Sequence, residues 1–274
     1  MPTRPRIDLA GYHHVINRGV NRCDVFNNSS DKDIFLQIIN KTATIHKITL
    51  HDYSLMDNHY HLLIETQKEN LSTFMRIVSA NYSQYFNKKY KRSGHLWQDR
   101  YKSKYITSDE YLYTLLRYIE YNPIEANITD NIRNYPYTLA SQIFNATDIY
   151  TCAKDSILLQ EFDIKTLSEF LQTPLSKDEL EYINEKQKQK ILKTDNGIKL
   201  NKSKEFKEHF TDIQNKFDRN LAIINAYLDG HTQVDIANYL NVSKSLVSKV
   251  IKNGDIAPGM NGTNLSKKRV KIRE

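Results

Sequence analysis

The run His59-Tyr60-His61-Leu62-Leu63-Ile64-Glu65-Thr66 constrains this chain more than any other segment. A second strand-like run, Thr49 to Met56, precedes it, and only Asp57-Asn58 lies between. That pair tolerates left-handed turns, so the spacing predicts a β-hairpin. Strand side chains alternate between faces. His59 and His61 therefore point one way, and Tyr60 points the other, toward a core with Leu62 and Ile64. Two imidazoles on one strand face can hold a metal ion together. Taken alone, the same pattern reads as two polar residues on the open face of a hairpin.

The flanking segments supply the rest of an α+β domain. Tyr12 to Ile16 reads as a first strand, ended by Asn17-Arg18-Gly19. Asp31 to His46 predicts a helix with Ile34, Phe35, Ile38 and Ile39 on one face and Ser30 as its N-cap. Leu71 to Asn87 predicts a second helix. A basic, aromatic loop follows, containing Lys88, Lys89, Lys91, Arg92, His95 and Trp97. Lys102 to Thr107 reads as a fourth strand. Thr107 or Ser108 then caps a helix that runs to Tyr121, with Glu110 placed for a capping box and Pro123 as the stop. The expected architecture is a central antiparallel sheet with packed helices.

That last helix carries a second constellation. Tyr118 and Asn122 are four residues apart, so at about 3.6 residues per turn they share a face. Leu112, Leu115, Leu116 and Ile119 form the apolar stripe, and Tyr118 lies beside it. A phenol there can attack a phosphate, and an Asn carbonyl oxygen can complete a metal site. The plain alternative is a packing tyrosine and a capping asparagine before a proline.

The remainder is less patterned until residue 220. Tyr182 to Lys193 is charged and helix-prone, a solvated surface. Asn220 to Asn253 predicts three helices. The first holds Leu221, Ile224 and Leu228 and ends at Gly230. The second runs from Gln233 to Leu240, and Ser243 caps the third. Ile236, Ala237, Leu240, Val242, Val247 and Val250 fall where a helix-turn-helix needs apolar or small residues, leaving Lys244, Ser245, Ser248 and Lys249 outward. A basic tail closes the chain, from Lys267 to Arg273. The 39 Lys and Arg outnumber the 32 Asp and Glu, a net charge of +7, which favours a polyanionic partner. Cys23 and Cys152 have no framework or metal-ligand spacing, consistent with a reducing compartment. No run approaches the ~20 apolar residues of a membrane span.

His59-Tyr60-His61 resembles the HUH motif of single-strand DNA transposases. More closely, the chain resembles the REP-associated tyrosine transposases. The resemblance extends to Asn17-Arg18-Gly19, Met56-Asp57-Asn58, the run from Ser93 to Ser103, and Arg117-Tyr118-Ile119-Glu120-Tyr121-Asn122-Pro123. It spans roughly the first half of the chain. It implies an HUH-nuclease-like fold, Tyr118 as the catalytic nucleophile, and His59 and His61 as metal ligands with Asn122 as a third. The implied cofactor is a divalent metal, Mg²⁺ or Mn²⁺. The implied reaction is cleavage and rejoining of single-stranded DNA through a 5′-phosphotyrosine, without a nucleotide cofactor.

The implied partner is single-stranded DNA carrying a REP-like hairpin. Arg18, Lys88, Lys89, Lys91, Arg92 and Arg100 are the expected phosphate contacts, and His95 and Trp97 can stack on bases. Lys244, Ser245, Ser248 and Lys249 would contact duplex DNA. The expected organisation is a catalytic domain over 1–144, a helical extension or linker over 145–215, a helix-turn-helix over 216–256 and a basic tail over 257–274. The protein would act in the cytoplasm, at the nucleoid, as a monomer or homodimer. Competing readings are a catalytically inactive DNA-binding regulator derived from a transposase, and a replication-initiator-type nickase.

Overall fold

The structure is a computed structural model and describes residues 8–188, 191–194, 197–200, 206–211, 213–228 and 231–253. The chain divides into two compact units, Met1–Lys193 and Thr194–Glu274.

The first unit begins with β1 (Gly11–Arg18), α1 (Ser29–His46), β2 (Ile48–Leu55), β3 (His59–Thr66) and α2 (Leu71–Lys89). It continues with β4 (Lys102–Tyr105), α3 (Asp109–Glu125), and the short helices α4 (Leu139–Phe144), α5 (Ile157–Gln160) and α6 (Ile164–Phe170), then α7 (Lys177–Lys188). The four strands form one antiparallel sheet in the order β2-β3-β1-β4.

Register decides which residues share a face. His59 pairs with Arg18, His61 with Ile16 and Leu63 with His14. Directly opposite residues lie on one side, so all six belong to one face. Asp52 and Ser54 join them from β2, where the register shifts between Leu50 and Asp52. Lys102 and Lys104 join from β4. α3 packs over this face, touching β2 and β3. The other face buries Val15, Tyr53, Tyr60, Leu62 and Ile64 in one core with Phe35 and Ile39 of α1 and Phe74, Val78 and Tyr82 of α2. Tyr60 is fully buried there, its ring centroid 4.9 Å from that of Phe35.

Several local expectations need correction. Asn28, not Ser30, caps α1, because its Oδ1 accepts the Asp31 backbone N–H at 3.2 Å. The buried face of α1 is Phe35, Leu36 and Ile39, while Ile34 and Ile38 are only half-buried. Ser108 caps α3, accepting from the Tyr111 backbone N–H at 3.3 Å. Thr107 therefore lies outside the helix, and no capping box forms with Glu110. Pro123 does not stop α3. It removes only its own N–H, and the helix still closes at its end, where the Ala126 N–H donates to the Asn122 carbonyl at 3.0 Å. The stretch after Tyr182 is not a bare solvated helix either: Ile183 of α7 is buried, and Ile191–Thr194 and Gly197–Leu200 form strands β5 and β6.

The second unit holds α8 (Lys216–Leu228), α9 (Gln233–Tyr239) and α10 (Lys244–Asn253). Its core is Ile223, Ala226, Ile236, Ala237, Val247 and Val250. The buried face of α8 is turned from the expected one, since Leu221 is 40% exposed and Ile223 fully buried. Asn241 makes the turn in the left-handed region, with φ of 51°. Ser243 caps α10, accepting from the Leu246 N–H at 3.2 Å. Gly230 and the basic tail lie outside the described residues.

Candidate active site

The histidine hairpin and the Tyr118 helix meet on one face of the sheet. The Tyr118 ring stands edge-on to that of His61, with centroids 5.6 Å apart and planes at 79°. His59 and His61 have centroids 5.2 Å apart. A third imidazole, unanticipated from sequence, completes the group: His14 of β1 lies 5.2 Å from His61 and 6.2 Å from Tyr118 between centroids. It sits diagonally across the β1–β3 ladder from His61, which is why no local motif points to it.

Hydrogen bonds fix both hairpin imidazoles. His59 Nδ1 lies 2.6 Å from Asn58 Oδ1, and His61 Nδ1 lies 2.9 Å from His14 Nε2. Both bonds use Nδ1, so Nε2 is the atom left for an ion. Burial lowers the pKa of all three histidines. It takes His14 down to about 3 and His61 well below the usual imidazole range, where neighbouring His14 and His59 push it further. His59 is lowered by burial and then by the Arg18 charge. Neutral imidazoles are the ligating form, so the pair fits a divalent ion of borderline softness. Among the described residues, no three His, Cys, Asp or Glu side chains cluster as a metal site. A full coordination sphere thus needs oxygen from elsewhere. Asn122 lies one turn beyond Tyr118 and donates its amide N–H to the Tyr118 carbonyl at 2.6 Å, leaving Oδ1 as its donor atom for an ion.

Tyr118 is half-buried, and burial raises its pKa. The Gln187 side chain of α7 opposes that rise, so it lies near the phenol, and its Nε2 is buried without a hydrogen-bond partner. The three tyrosines nearest in sequence are placed differently. Tyr121 donates to the Leu171 carbonyl at 2.8 Å, Tyr113 bonds Glu161, and Tyr111 is buried in the core.

Below α3, two buried carboxyls face each other. Burial, and then the Glu120 charge, raises the pKa of Asp52 well above the carboxylate range; burial raises Glu120 as well. Asp52 Oδ2 and Glu120 Oε2 are each buried without a hydrogen-bond partner, and Glu120 accepts the Ala140 N–H at 2.8 Å through its other oxygen. This ties the Tyr118 helix to β2 and α4.

A cavity of about 480 Å³ opens beside His59, lined by Arg18, Arg22, Asn58, Arg100, Lys102 and Gln187 among others. Arg18 and Arg100 were expected at the site, whereas Arg22 and Lys102 were not. The other expected contacts lie elsewhere. Lys89 is engaged with Asp31 at 2.6 Å, an ion pair that takes it out of the set available to phosphate. Arg92 lies over the Phe86 ring at 5.5 Å. Lys88, Lys91 and His95 are exposed. Trp97 packs on Tyr60, centroids 5.5 Å apart, and so belongs with the core on the face away from the histidines. In the second unit, Lys244, Ser245 and Lys249 are exposed on α10 and Ser248 is half-buried.

Residues 9–122 match the family model described as transposase, IS200-like. No curated protein gives a match. Among solved structures, the chain is similar to a REP-associated tyrosine transposase bound to a REP hairpin, with 14% identity, 60% of this chain and 96% of that chain covered, and a TM-score of 0.44. It is also similar to a crystal structure described as a transposase from Deinococcus radiodurans R1, with 20% identity, 44% and 95% covered, and a TM-score of 0.32. Among the described residues, no helix is long and apolar enough to cross a membrane.

Proposed function

We propose that this chain, whose residues 9–122 match the IS200-like transposase family model, is a metal-dependent endonuclease and strand transferase for single-stranded DNA, with Tyr118 as the nucleophile. The observation that supports this most is the approach of the Tyr118 ring to His61, 5.6 Å between centroids. It sets a phenol beside a neutral imidazole pair, of which His59 lines the cationic cavity.

His59, His61 and Asn122 would hold Mg²⁺ or Mn²⁺, which when bound polarises the scissile phosphate and neutralises charge in the transition state. Arg18, Arg22, Arg100 and Lys102 draw the DNA backbone into the cavity. The Tyr118 oxygen attacks phosphorus in line and loses its proton to solvent. The bond from phosphorus to the 3′ oxygen breaks, and that oxygen leaves as a 3′-hydroxyl. The product is a 5′-phosphotyrosine, which a second 3′-hydroxyl can resolve by the reverse step. Gln187 steadies the phenol during the exchange. The substrate is single-stranded DNA beside a REP-like hairpin. Residues 1–144 form the catalytic domain and 145–215 an extension that supplies Gln187. Residues 216–256 form a helix-turn-helix whose Lys244, Ser245, Ser248 and Lys249 contact duplex DNA, followed by the basic tail 257–274.

The test is to incubate the full chain with 3′-labelled hairpin DNA and Mn²⁺. A denaturant-resistant adduct whose nucleotide-peptide maps to Tyr118 supports the reading. Binding without an adduct across a hairpin library sinks it and leaves a DNA-binding regulator.

A further inference from the structure

We infer that His14 is a positioning residue of the metal site: its Nε2 accepts the Nδ1–H of His61 and thereby presents the bare Nε2 of His61 to the ion. This rests on the metal-assisted reading above.

The two hairpin ligands are set by different devices. Asn58 Oδ1 can only accept, so the 2.6 Å contact puts the His59 proton on Nδ1 and leaves Nε2 bare. His61 has no such neighbour. Its Nδ1 meets another imidazole nitrogen, His14 Nε2, at 2.9 Å. One of the two must donate. If His14 donates, the single proton of a neutral His61 sits on Nε2, and that nitrogen cannot ligate. If His61 donates, its Nε2 lone pair is free. Only the second arrangement makes the two hairpin histidines equivalent ligands. A buried acceptor behind a ligating imidazole is the usual way in which tautomer and ring angle are fixed.

The surroundings suit that task. His14 and His61 are 0% and 5% exposed, so water does not compete for the bond. Their rings are nearly parallel, at 23°, and the Tyr118 ring packs edge-on against both. The other ring nitrogen of His14, Nδ1, is buried without a hydrogen-bond partner. Burying an imidazole with one nitrogen unsatisfied is costly, and an apolar side chain would fill the space more cheaply. The contact with His61 is what the imidazole provides and an apolar residue does not.

The experiment is a Co²⁺ titration of the full chain, read by the visible spectrum of imidazole-bound Co²⁺. Wild type is compared with His14→Phe, which keeps the ring but loses the acceptor, and His14→Gln, which keeps an acceptor. His59→Ala gives the background from other histidines. We expect His14→Phe to weaken Co²⁺ binding by about 10- to 100-fold and His14→Gln to restore most of it. His14→Phe binding like wild type overturns the inference, as does His14→Gln losing as much as His14→Phe. Identical titrations for wild type and His59→Ala overturn the metal reading itself. Should His14→Phe fail to fold, long-range ¹H–¹⁵N spectra of Zn²⁺-loaded wild type decide. A His61 proton on Nδ1 supports the inference, and a proton on Nε2 sinks it.

Discussion

The Tyr118 ring stands edge-on to His61 at 79°, while on the same helix Tyr113 and Tyr121 turn their hydroxyls to Glu161 and the Leu171 carbonyl, and Tyr111 is buried in the core. Tyr118→Phe should therefore reduce adduct formation below detection. Tyr113→Phe and Tyr121→Phe should keep the adduct, with losses confined to stability. The pH profile follows from burial, which raises the Tyr118 pKa above its usual value. Less phenolate is then present at any pH below that value. Single-turnover cleavage should rise up to about tenfold per pH unit, with no plateau before the ordinary phenol range near ~10. A plateau at neutral pH would mean that a base of lower pKa takes the proton.

Gly19 closes the loop between β1 and the histidine hairpin. Its N–H donates to the Asn58 carbonyl at 2.9 Å, beside the side chain that orients His59. A Cβ at this position would lie 2.1 Å from the Cys23 carbonyl oxygen and 2.9 Å from Val25 Cγ1. The obstacle is backbone, so it cannot yield as a side chain would. Gly19→Ala should cost about 1–3 kcal/mol or more, measured as a lowered midpoint in thermal or urea unfolding. It should also weaken Co²⁺ binding through the displaced Asn58. Unchanged values of both would mean that the close approach is not kept in solution.

The Asp52–Glu120 pair makes a pH prediction of known sign. Both carboxyls have raised pKa in the fold, so the folded chain binds more protons than the unfolded one above the ordinary carboxylate range. Stability from this pair is fully present below that range and falls as pH rises through the raised values. Asp52→Asn puts an amide donor where a proton shared between the carboxyls would sit. It should flatten the decline of unfolding free energy on the alkaline side of the carboxylate range. Asp52→Ala should cost about 1–3 kcal/mol by leaving Glu120 without its partner. Urea unfolding at several pH values measures both. A wild-type slope retained in Asp52→Asn would show that no proton is shared.

What could be seen in the sequence was whatever depends on short period. The alternation of His59 to Ile64 gave the two faces of β3, and the four-residue step from Tyr118 to Asn122 gave one face of α3. His14 was not visible because its partner is 47 residues away and only strand register joins them. The α1 cap was ambiguous in Asn28-Ser29-Ser30, where each residue can accept an N–H. Pro123 misled because proline removes only one donor, and the helix runs on to Glu125. The basic loop misled because charge says nothing of partners: Lys89 is spent on Asp31, while Lys102, part of a short edge strand, faces the cavity. Tyr60 and Trp97 pack together because the residue between two outward histidines must face the core.

The second unit carries its own test. Lys244, Ser245 and Lys249 are exposed on α10, and the short turn at Asn241 holds that helix against α9 through the bond from the Val242 N–H to the Ala237 carbonyl at 2.9 Å. If this face meets a duplex, each lysine neutralises a phosphate and releases counterions. Lys244→Ala and Lys249→Ala should each lower the slope of log affinity against log salt by about 1, nearly independent of duplex sequence. Ser245→Ala should leave that slope alone and alter preference between sequences. Fluorescence anisotropy with a labelled duplex at several salt concentrations separates these outcomes. A slope that survives both lysine substitutions would place duplex contacts outside α10 and make the three helices a packing module.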